Sequence, residues 1–225
     1  MPLQVVTCSI EWFNIIMETR LIINEILHRL QARYPDAGTR LKYSNTFELL
    51  VAVVLSAQSN DEQVNRATPV LFKLYGTPEK MALASQDEIE ALIRGVGLYR
   101  NKARHLVEMA RVLVEKHGGE IPSTFEGLLK LPGVGRKSAN VIMAQGFAQP
   151  GLGVDTHVQR VSYRLGLVPD HNPAHTEATL KACIPPAQWG KAHHLLISHG
   201  RQVCKARQPA CQDCFLKDIC ARKMD

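Results

Sequence analysis

The strongest constraint on the fold of this chain is that its apolar residues recur every three or four positions. Between Glu18 and Tyr34 they form one stripe along a helix, made of Ile22, Ile23, Ile26, Leu27 and Leu30. Similar periodicity predicts further helices at residues 47–57, 99–117, 174–183 and 187–200. No two segments alternate apolar and polar residues as paired strands do. The sequence therefore predicts an all-α fold.

Several helix starts are marked by residues that cap free backbone amides. Ser85 with Glu88, and Ser123 with Glu126, have the spacing of capping boxes. Asn172 is followed by a proline, which is typical of the first turn of a helix. These signals predict helices that begin directly after each capping residue.

The chain has 225 residues, enough for one large domain or two small ones. Because no low-complexity linker divides it, two domains would have to be interleaved along the sequence. The longest apolar run, at residues 49–55, is far shorter than the ~20 residues that span a bilayer, so no membrane partner is expected. Residues 1–17 include Glu11 and lack the basic start and cleavage site of a secretory signal. We therefore expect a cytoplasmic protein.

Basic residues outnumber acidic ones. The chain has 27 Lys and Arg against 21 Asp and Glu, a formal net charge of +6 and a pI of about 9.1. Such an excess suits a polyanionic partner, above all nucleic acid. Many basic proteins bind no polyanion, so the charge alone leaves both interpretations open.

A glycine-rich turn between two predicted helices is a candidate phosphate site. In the segment Leu131–Ala139, Pro132 ends one helix, and Gly133 and Gly135 allow a tight turn before the next. Glycines leave the first amides of that next helix uncovered, at the positive end of its dipole, where one phosphate can bind without regard to base sequence. A plain helical hairpin without a ligand is the alternative.

Arg136 and Lys137 follow in the first turn of that helix. Both could be further phosphate contacts or solvated basic side chains. Lys137 also has a more specific interpretation as a nucleophile, because an amine attacks only without its proton and the positive end of a helix favours the uncharged form.

A second segment has the same pattern as this hairpin. Residues 93–97 end one helix with Gly-x-Gly and precede Lys102, as residues 131–135 precede Lys137. The two segments could equally be unrelated tight turns that use glycine for its conformational freedom. Lys102 lies further from its glycines than Lys137, and we do not expect it to be the nucleophile.

Four cysteines lie together near the carboxyl end of the sequence. Cys204, Cys211, Cys214 and Cys220 have the spacing C-x6-C-x2-C-x5-C. In a compartment that keeps thiols reduced, this grouping indicates a metal site. Zinc prefers two close pairs, whereas only the middle two cysteines form one. The wider loops favour a [4Fe–4S] cluster held by four thiolates, with zinc as the alternative.

Taken in order, these motifs resemble the endonuclease III family, DNA glycosylases with AP lyase activity in the helix-hairpin-helix superfamily. The resemblance runs from about Glu18 to Arg222 and rests on Leu131–Asn140, Val154–His157 and the cysteine spacing, with residues 55–58 and 97–99 in support. It implies two interleaved helical lobes. One is a six-helix barrel at residues 39–150, with its helix-hairpin-helix at about 125–148. The other joins residues 18–38 to 151–225 and holds the cluster loop at 204–220. Residues 1–17 have no counterpart and are expected to be a disordered extension.

The resemblance also implies the chemistry. Lys137 would be the nucleophile that displaces an oxidised pyrimidine, forms a Schiff base with the sugar and allows β-elimination. Asp155 would be the matching carboxylate, which takes the lysine proton or stabilises charge on the sugar; it could equally be a helix cap, and we expect both roles. The four cysteines would hold a [4Fe–4S] cluster. The partner would be double-stranded DNA that contains damaged bases or abasic sites, bound by a monomer, in the nucleoid if the host is bacterial.

Further residues match family positions near the pocket and the DNA. Asp61 and His157 would lie by the pocket, with first-turn helix charge and a core histidine as the plainer alternatives. Gln58 and Leu98 would fill the gap that a flipped base leaves; Leu98 could otherwise be an ordinary loop residue.

The cysteine loop also matches, with a departure. Lys205 and Arg207 would contact phosphates as a basic loop, or else be solvated. The loop has fewer basic residues than its counterparts in the family, so its grip on phosphate is expected to be weaker.

Two rival functions remain at this point. The first is a monofunctional glycosylase of the same superfamily, such as adenine glycosylase, although those relatives usually carry tyrosine or serine in place of Lys137. The second is a DNA-binding module without catalysis, which would need the glycine hairpin but neither Lys137 nor Asp155. Covalent trapping on abasic-site DNA separates these possibilities.

Overall fold

The structure is a computed structural model that describes the backbone of residues 4–223 and the side chains of residues 18–223. Over that range the chain forms helices, turns and loops and contains no β-strand, which confirms the all-α prediction. None of the described helices is both long enough and apolar enough to cross a membrane. The chain divides into two compact units, residues 39–151 (the hairpin unit) and residues 1–38 with 152–225 (the cluster unit).

The hairpin unit is built from consecutive helices around one apolar core. They are α2 (Thr46–Ser56), α3 (Asp61–Tyr75), α4 (Pro78–Ala82), α5 (Gln86–Ile93), α6 (Tyr99–His117), α7 (Phe125–Leu129) and α8 (Arg136–Gly146).

Helix α2 lies at the centre of this unit, which explains the longest apolar run in the sequence. Every residue from Leu49 to Leu55 is buried. The helix packs against α3, α6 and α8. Gly146 allows the close contact with α8, because a Cβ there would lie 2.9 Å from Thr46 Cγ2.

The cluster unit combines the first helix of the chain with helices from its last third. They are α1 (Gln4–Arg33), α9 (Thr156–Leu165), α10 (Pro173–Cys183) and α11 (Trp189–Gln202), with a short 3-10 turn at Pro186–Gln188. Within the predicted stripe of α1, Ile23, Ile26 and Leu30 are fully buried, whereas Ile22 is 45% exposed. The backbone of residues 4–17 belongs to the first half of α1, which differs from the disordered extension predicted for residues 1–17; residues 1–3 lie outside the described residues.

Most of the predicted caps are present. Ser85 and Glu88 form a reciprocal capping box, and the Asn172 side chain accepts from the first turn of α10. The capping box predicted for Ser123 and Glu126 is wrong. The cap is Thr124, whose Oγ1 accepts from the Gly127 amide at 3.2 Å. The glycine allows this start, because a Cβ at Gly127 would lie 2.7 Å from Pro122 Cβ.

Candidate functional site

The glycine hairpin joins α7 to α8. Gly133 has a φ of +79° and lies against His105, where a Cβ would be 3.1 Å from His105 Cβ. Glycine is therefore required there for both backbone conformation and space. Gly135 is the cap residue of α8 and faces open space. The hairpin thus presents an uncovered helix start to solvent.

Arg136 connects the two helices of the hairpin. Its side chain is exposed, and its guanidinium carbon lies 5.1 Å from the centre of the Phe125 ring on α7. This cation–π contact holds the arginine beside the glycine turn.

Lys137 is the second residue of α8 and is half-buried. No side chain caps this helix, and its first turn contains no acidic residue. The lysine therefore lies at the positive end of a helix dipole that no residue of that turn neutralises.

Gln58 and Leu98 lie in two turns of the hairpin unit that contact one another. Both side chains are exposed, and both residues have a left-handed backbone, with φ of 53° and 57°. A Cβ on Gly97 would lie 3.1 Å from the Gln58 carbonyl oxygen, so only glycine lets the turns approach this closely. Left-handed backbone in residues other than glycine is strained and is often found at functional sites.

Lys102 is buried behind these two turns. It is only 5% exposed, and its Nζ donates to the Leu55 carbonyl at 2.8 Å and to Ser59 Oγ at 2.9 Å. Burial lowers the pKa of Lys102 to about 8. Asp61 is half-buried at the first position of α3, directly after the cap Asn60.

Asp155 is the cap of α9 in the cluster unit. Its Oδ1 accepts from the amides of His157 and Val158, both at 2.9 Å. These two bonds fix the carboxylate at the start of the helix and do not involve Oδ2. His157 is half-buried, and burial lowers its pKa.

Two arginines further along α9 hold the backbone of the cysteine segment. Arg160 donates to the Cys204 carbonyl at 3.0 Å and to His157 Nδ1 at 3.2 Å. Arg164 donates to the Lys205 carbonyl at 2.7 Å. Neither residue was predicted from the sequence. Their four-residue spacing, on the helix face that carries buried Val161, was the available signal.

The four predicted cysteine ligands line one cavity of the cluster unit, together with Arg164 and His199. All four are free thiols, and burial raises the pKa of both Cys204 and Cys214. Within the described residues, no His, Cys, Asp or Glu group converges closely enough to hold a single metal ion. A [4Fe–4S] cluster is held by four cysteine thiolates, and these four cysteines line the same cavity, so the set of donors fits the cluster.

The polar surroundings of the cysteines fit thiolate ligands as well. His199 is buried, and burial lowers its pKa to about 4, so the ring is neutral at pH 7. Its Nδ1 lies 3.3 Å from the Tyr34 hydroxyl and its Nε2 lies 3.8 Å from Cys214 Sγ. With the tyrosine donating to Nδ1, the ring donates its own proton toward the sulfur, as partners of metal-bound thiolates do.

The two basic residues predicted in the cysteine loop, Lys205 and Arg207, are both exposed. The Lys205 backbone is fixed by Arg164, while its side chain extends to solvent. The loop therefore presents positive charge on an anchored backbone.

Comparison with known proteins adds independent information. The family described as "HhH-GPD superfamily base excision DNA repair protein" matches residues 51–186. The family described as "Iron-sulfur binding domain of endonuclease III" matches residues 204–220. The first match covers more than half of the chain and the second spans the four cysteines.

Individual relatives match along nearly their whole length. Endonuclease III of Thermotoga maritima is 42% identical over 199 residues, which cover 88% of this chain and 92% of the relative. Endonuclease III of Bacillus subtilis is 43% identical over 195 residues, which cover 86% and 89%. Endonuclease III of Escherichia coli K12 is 41% identical over 199 residues, which cover 88% and 94%.

Solved structures give the same result for the fold. A trapped endonuclease III–DNA covalent intermediate superposes with a TM-score of 0.87 at 44% identity, covering 90% of this chain and 96% of that one. A non-covalent endonuclease III–DNA complex has the same TM-score and identity and covers 90% and 95%. The chain therefore belongs to the endonuclease III family of base excision DNA repair enzymes, which bind a [4Fe–4S] cluster.

Proposed function

We propose that this protein is a bifunctional DNA glycosylase and AP lyase that removes oxidised pyrimidines from double-stranded DNA and then nicks the abasic strand. The observation that carries the proposal is the position of Lys137, in the uncapped first turn of α8 and directly after the glycine hairpin. A relative that is 44% identical has been solved as a covalent intermediate with DNA, which supports the same class of chemistry here.

In the proposed reaction, the uncharged amine of Lys137 attacks C1′ of the damaged nucleotide. The bond from C1′ to the base breaks, and the base leaves with the bonding electrons and takes up a proton. The nitrogen, now bonded to C1′, loses one of its two protons. The bond from C1′ to O4′ then breaks, O4′ takes up a proton, and the nitrogen keeps its remaining proton in a protonated imine. Removal of a C2′ proton then expels the 3′ phosphate by β-elimination, because the imine accepts the electron pair.

Asp155 is proposed as the carboxylate partner of this reaction. Its Oδ1 is held by two backbone amides, so the group cannot swing away from the helix start. Oδ2 takes no part in those bonds and is the proposed acceptor for the lysine proton, or the counter-charge to a cationic sugar. His157 and Asp61 are proposed to shape the pocket.

We propose that three surfaces bind DNA and that none of them recognises the base sequence. The amides after Gly133 and Gly135, with Arg136, hold one phosphate. Gln58 and Leu98 enter the duplex where the damaged nucleotide has been flipped out, because C1′ is unreachable inside a stacked helix. Lys205 and Arg207 contact the backbone from the cysteine loop.

The four thiols of Cys204, Cys211, Cys214 and Cys220 are the proposed ligands of the cluster. When bound, the cluster ties the ends of this segment together and supplies a net charge of about −2 with its thiolates. Arg160 and Arg164 attach the same segment to α9, the helix that begins at Asp155. The cluster segment is therefore proposed to anchor the helix that carries the carboxylate.

The proposal is tested by reducing the protein with borohydride in the presence of abasic-site DNA. We expect a covalent adduct with the intact protein and none with Lys137→Ala. Lys130→Ala is the matched control, since this lysine is exposed and ends the other helix of the same hairpin. Absence of an adduct with the intact protein would refute the lyase and leave a monofunctional enzyme or a binding module.

The cellular setting follows from the proposed substrate. We propose that the protein acts as a monomer on chromosomal DNA, in the cytoplasm and at the nucleoid if the host is bacterial. Sedimentation with and without DNA tests the monomer, and a dimer in free solution would contradict it.

A further inference from the structure

The hydrogen bonds of Lys102 connect two separate turns of the hairpin unit. Its Nζ donates to the Leu55 carbonyl near the end of α2 and to Ser59 Oγ in the following turn. Ser59 Oγ also accepts from the Gly97 amide at 3.1 Å. One buried ammonium and one hydroxyl therefore join the turn after α2 to the turn before α6.

These are the turns that carry Gln58 and Leu98. Gln58 directly precedes Ser59, and Leu98 directly follows Gly97. Both have a left-handed backbone that side chains disfavour, and both side chains are exposed, so their own packing does not hold the conformation. The contacts that stabilise the left-handed backbone of the two turns therefore have to come from their buried side, where Lys102 lies.

Burying an ammonium is unfavourable at a position where the side chain has only to fill space. Burial opposes its charge, as its lowered pKa reflects, and a methionine of similar length would fill the space without that penalty. What an ammonium adds is several donors in one place. Two of these donors bond to the Leu55 carbonyl oxygen and to Ser59 Oγ, and these two residues lie four positions apart in the chain.

We propose that Lys102 is a positioning residue that holds Gln58 and Leu98 in the arrangement needed to enter the duplex and fill the gap left by the flipped nucleotide. This inference rests on the proposed function. Lys102 does not touch the reacting sugar in this proposal; it acts through the two turns. Its effect should therefore appear only where a duplex has to be opened.

The test compares two substrates under single-turnover conditions. One is a damaged base in duplex DNA, whose excision requires flipping and filling of the gap. The other is an abasic site in single-stranded DNA, whose cleavage requires neither. For Lys102→Met we expect excision from the duplex to slow by about tenfold or more, and cleavage of the single strand to stay within about twofold of the unmodified protein.

Two further variants separate positioning from general damage. Ser59→Ala removes the link between the turns without changing the buried stem of Lys102, and we expect it to slow duplex excision in the same selective way by a few fold. Lys116→Met removes a lysine from the exposed end of the same helix and should leave both rates unchanged. If Lys102→Met fails to fold, Ser59→Ala still carries the test.

Fluorescence of a 2-aminopurine placed opposite the lesion gives a readout besides activity. We expect the change in emission on binding to shrink in Lys102→Met and in Ser59→Ala. Equal slowing on both substrates, or no slowing in either variant, would overturn the inference. Failure of the unmodified protein to cleave the single-stranded abasic site would instead refute the proposed function itself.

Discussion

The two Gly-x-Gly turns of the hairpin unit have similar sequences and different structures. In the turn before α8, the left-handed residue is Gly133, and the lysine that follows is the second residue of its helix and half-buried. In the turn before α6, the left-handed residue is Leu98, and the lysine is the fourth residue of its helix and buried. Two residues of difference along a helix thus place one amine at an open helix start and the other inside the core.

The number of residues between the turn and the lysine, more than the glycine pattern itself, therefore decides where the amine lies and what it can do. Lys137 lies in the first turn of α8, which no side chain caps. Lys102 lies two residues further along its helix, where its amine donates to the carbonyl of Leu55. We propose that the first attacks the sugar and that the second holds the backbone in place.

The largest difference is expected between the cleavage rates of variants at the two lysines. Lys137→Ala should slow cleavage of a single-stranded abasic site by roughly 1,000-fold or more, because it removes the proposed nucleophile. Lys102→Met should leave that rate nearly unchanged. Quenched-flow rates at saturating enzyme provide the measurement. A comparable loss of cleavage rate in both variants would contradict the different roles proposed for the two lysines.

The next effect concerns the carboxylate that we pair with Lys137. Asp155→Asn keeps an oxygen that can accept from the two amides of α9 but removes the negative charge. We expect excision of a damaged base to slow by roughly 100-fold, since proton acceptance and charge stabilisation are both lost. The melting temperature should change little.

Asp155→Ala is the companion variant, because it also removes the cap and should lower stability by about 1 kcal/mol. Measuring both rate and melting temperature for the pair separates capping from chemistry. An asparagine variant that is fully active would show that Asp155 is only a cap.

A smaller effect follows from the buried charge of Lys102. The folded chain releases its proton near pH 8, whereas an unfolded lysine keeps it up to a pKa of 10.5. Between these values the unfolded state binds more protons, so the free energy of unfolding contributed by Lys102 rises as pH increases. We expect it to rise by about 2 kcal/mol relative to Lys102→Met.

Urea denaturation of both proteins between pH 7.5 and 10 measures this difference, with the Met variant correcting for the other groups that titrate in that range. Below pH 8 Lys102 is charged in the folded protein as well, so the burial of its charge lowers the free energy of unfolding by the full amount. A difference that is flat or falls with pH would show that the ammonium is not destabilised by burial.

The smallest effect concerns the two glycines of the turn before α8. Gly133→Ala should lower stability by about 1 kcal/mol or more, because its backbone is left-handed and its Cβ would press on His105. Gly135→Ala is the matched control, since a Cβ there meets open space. Thermal melts of the two variants test this, and equal melting temperatures would contradict the requirement for glycine at residue 133.

Periodicity and caps were enough to predict most helices. Helix α6 spans Tyr99–His117, as the sequence predicted, and α10 spans Pro173–Cys183, one residue earlier at its start than the predicted 174–183. The error at Thr124 arose because two adjacent hydroxyl residues can each cap a helix, and only packing of Gly127 against Pro122 selects one. Local patterns locate a helix, and tertiary contact sets its first residue.

The candidate site was predictable only where chemistry is confined to a short stretch of sequence. The hairpin and the four cysteines are such stretches. Lys102, by contrast, bonds to Leu55 and Ser59, more than 40 positions earlier in the chain. Arg160 and Arg164 reach Cys204 and Lys205 across a similar separation. No local pattern records contacts of that range.

The most direct test of this account is to identify which lysine becomes attached to DNA. After borohydride reduction of the unmodified protein with abasic-site DNA, proteolysis and mass spectrometry would locate the residue that carries the sugar. We predict that the modified peptide contains Lys137 and that the peptide containing Lys102 is recovered unmodified. Sugar attached to Lys102, with Lys137 unmodified, would contradict the assignment of the two turns.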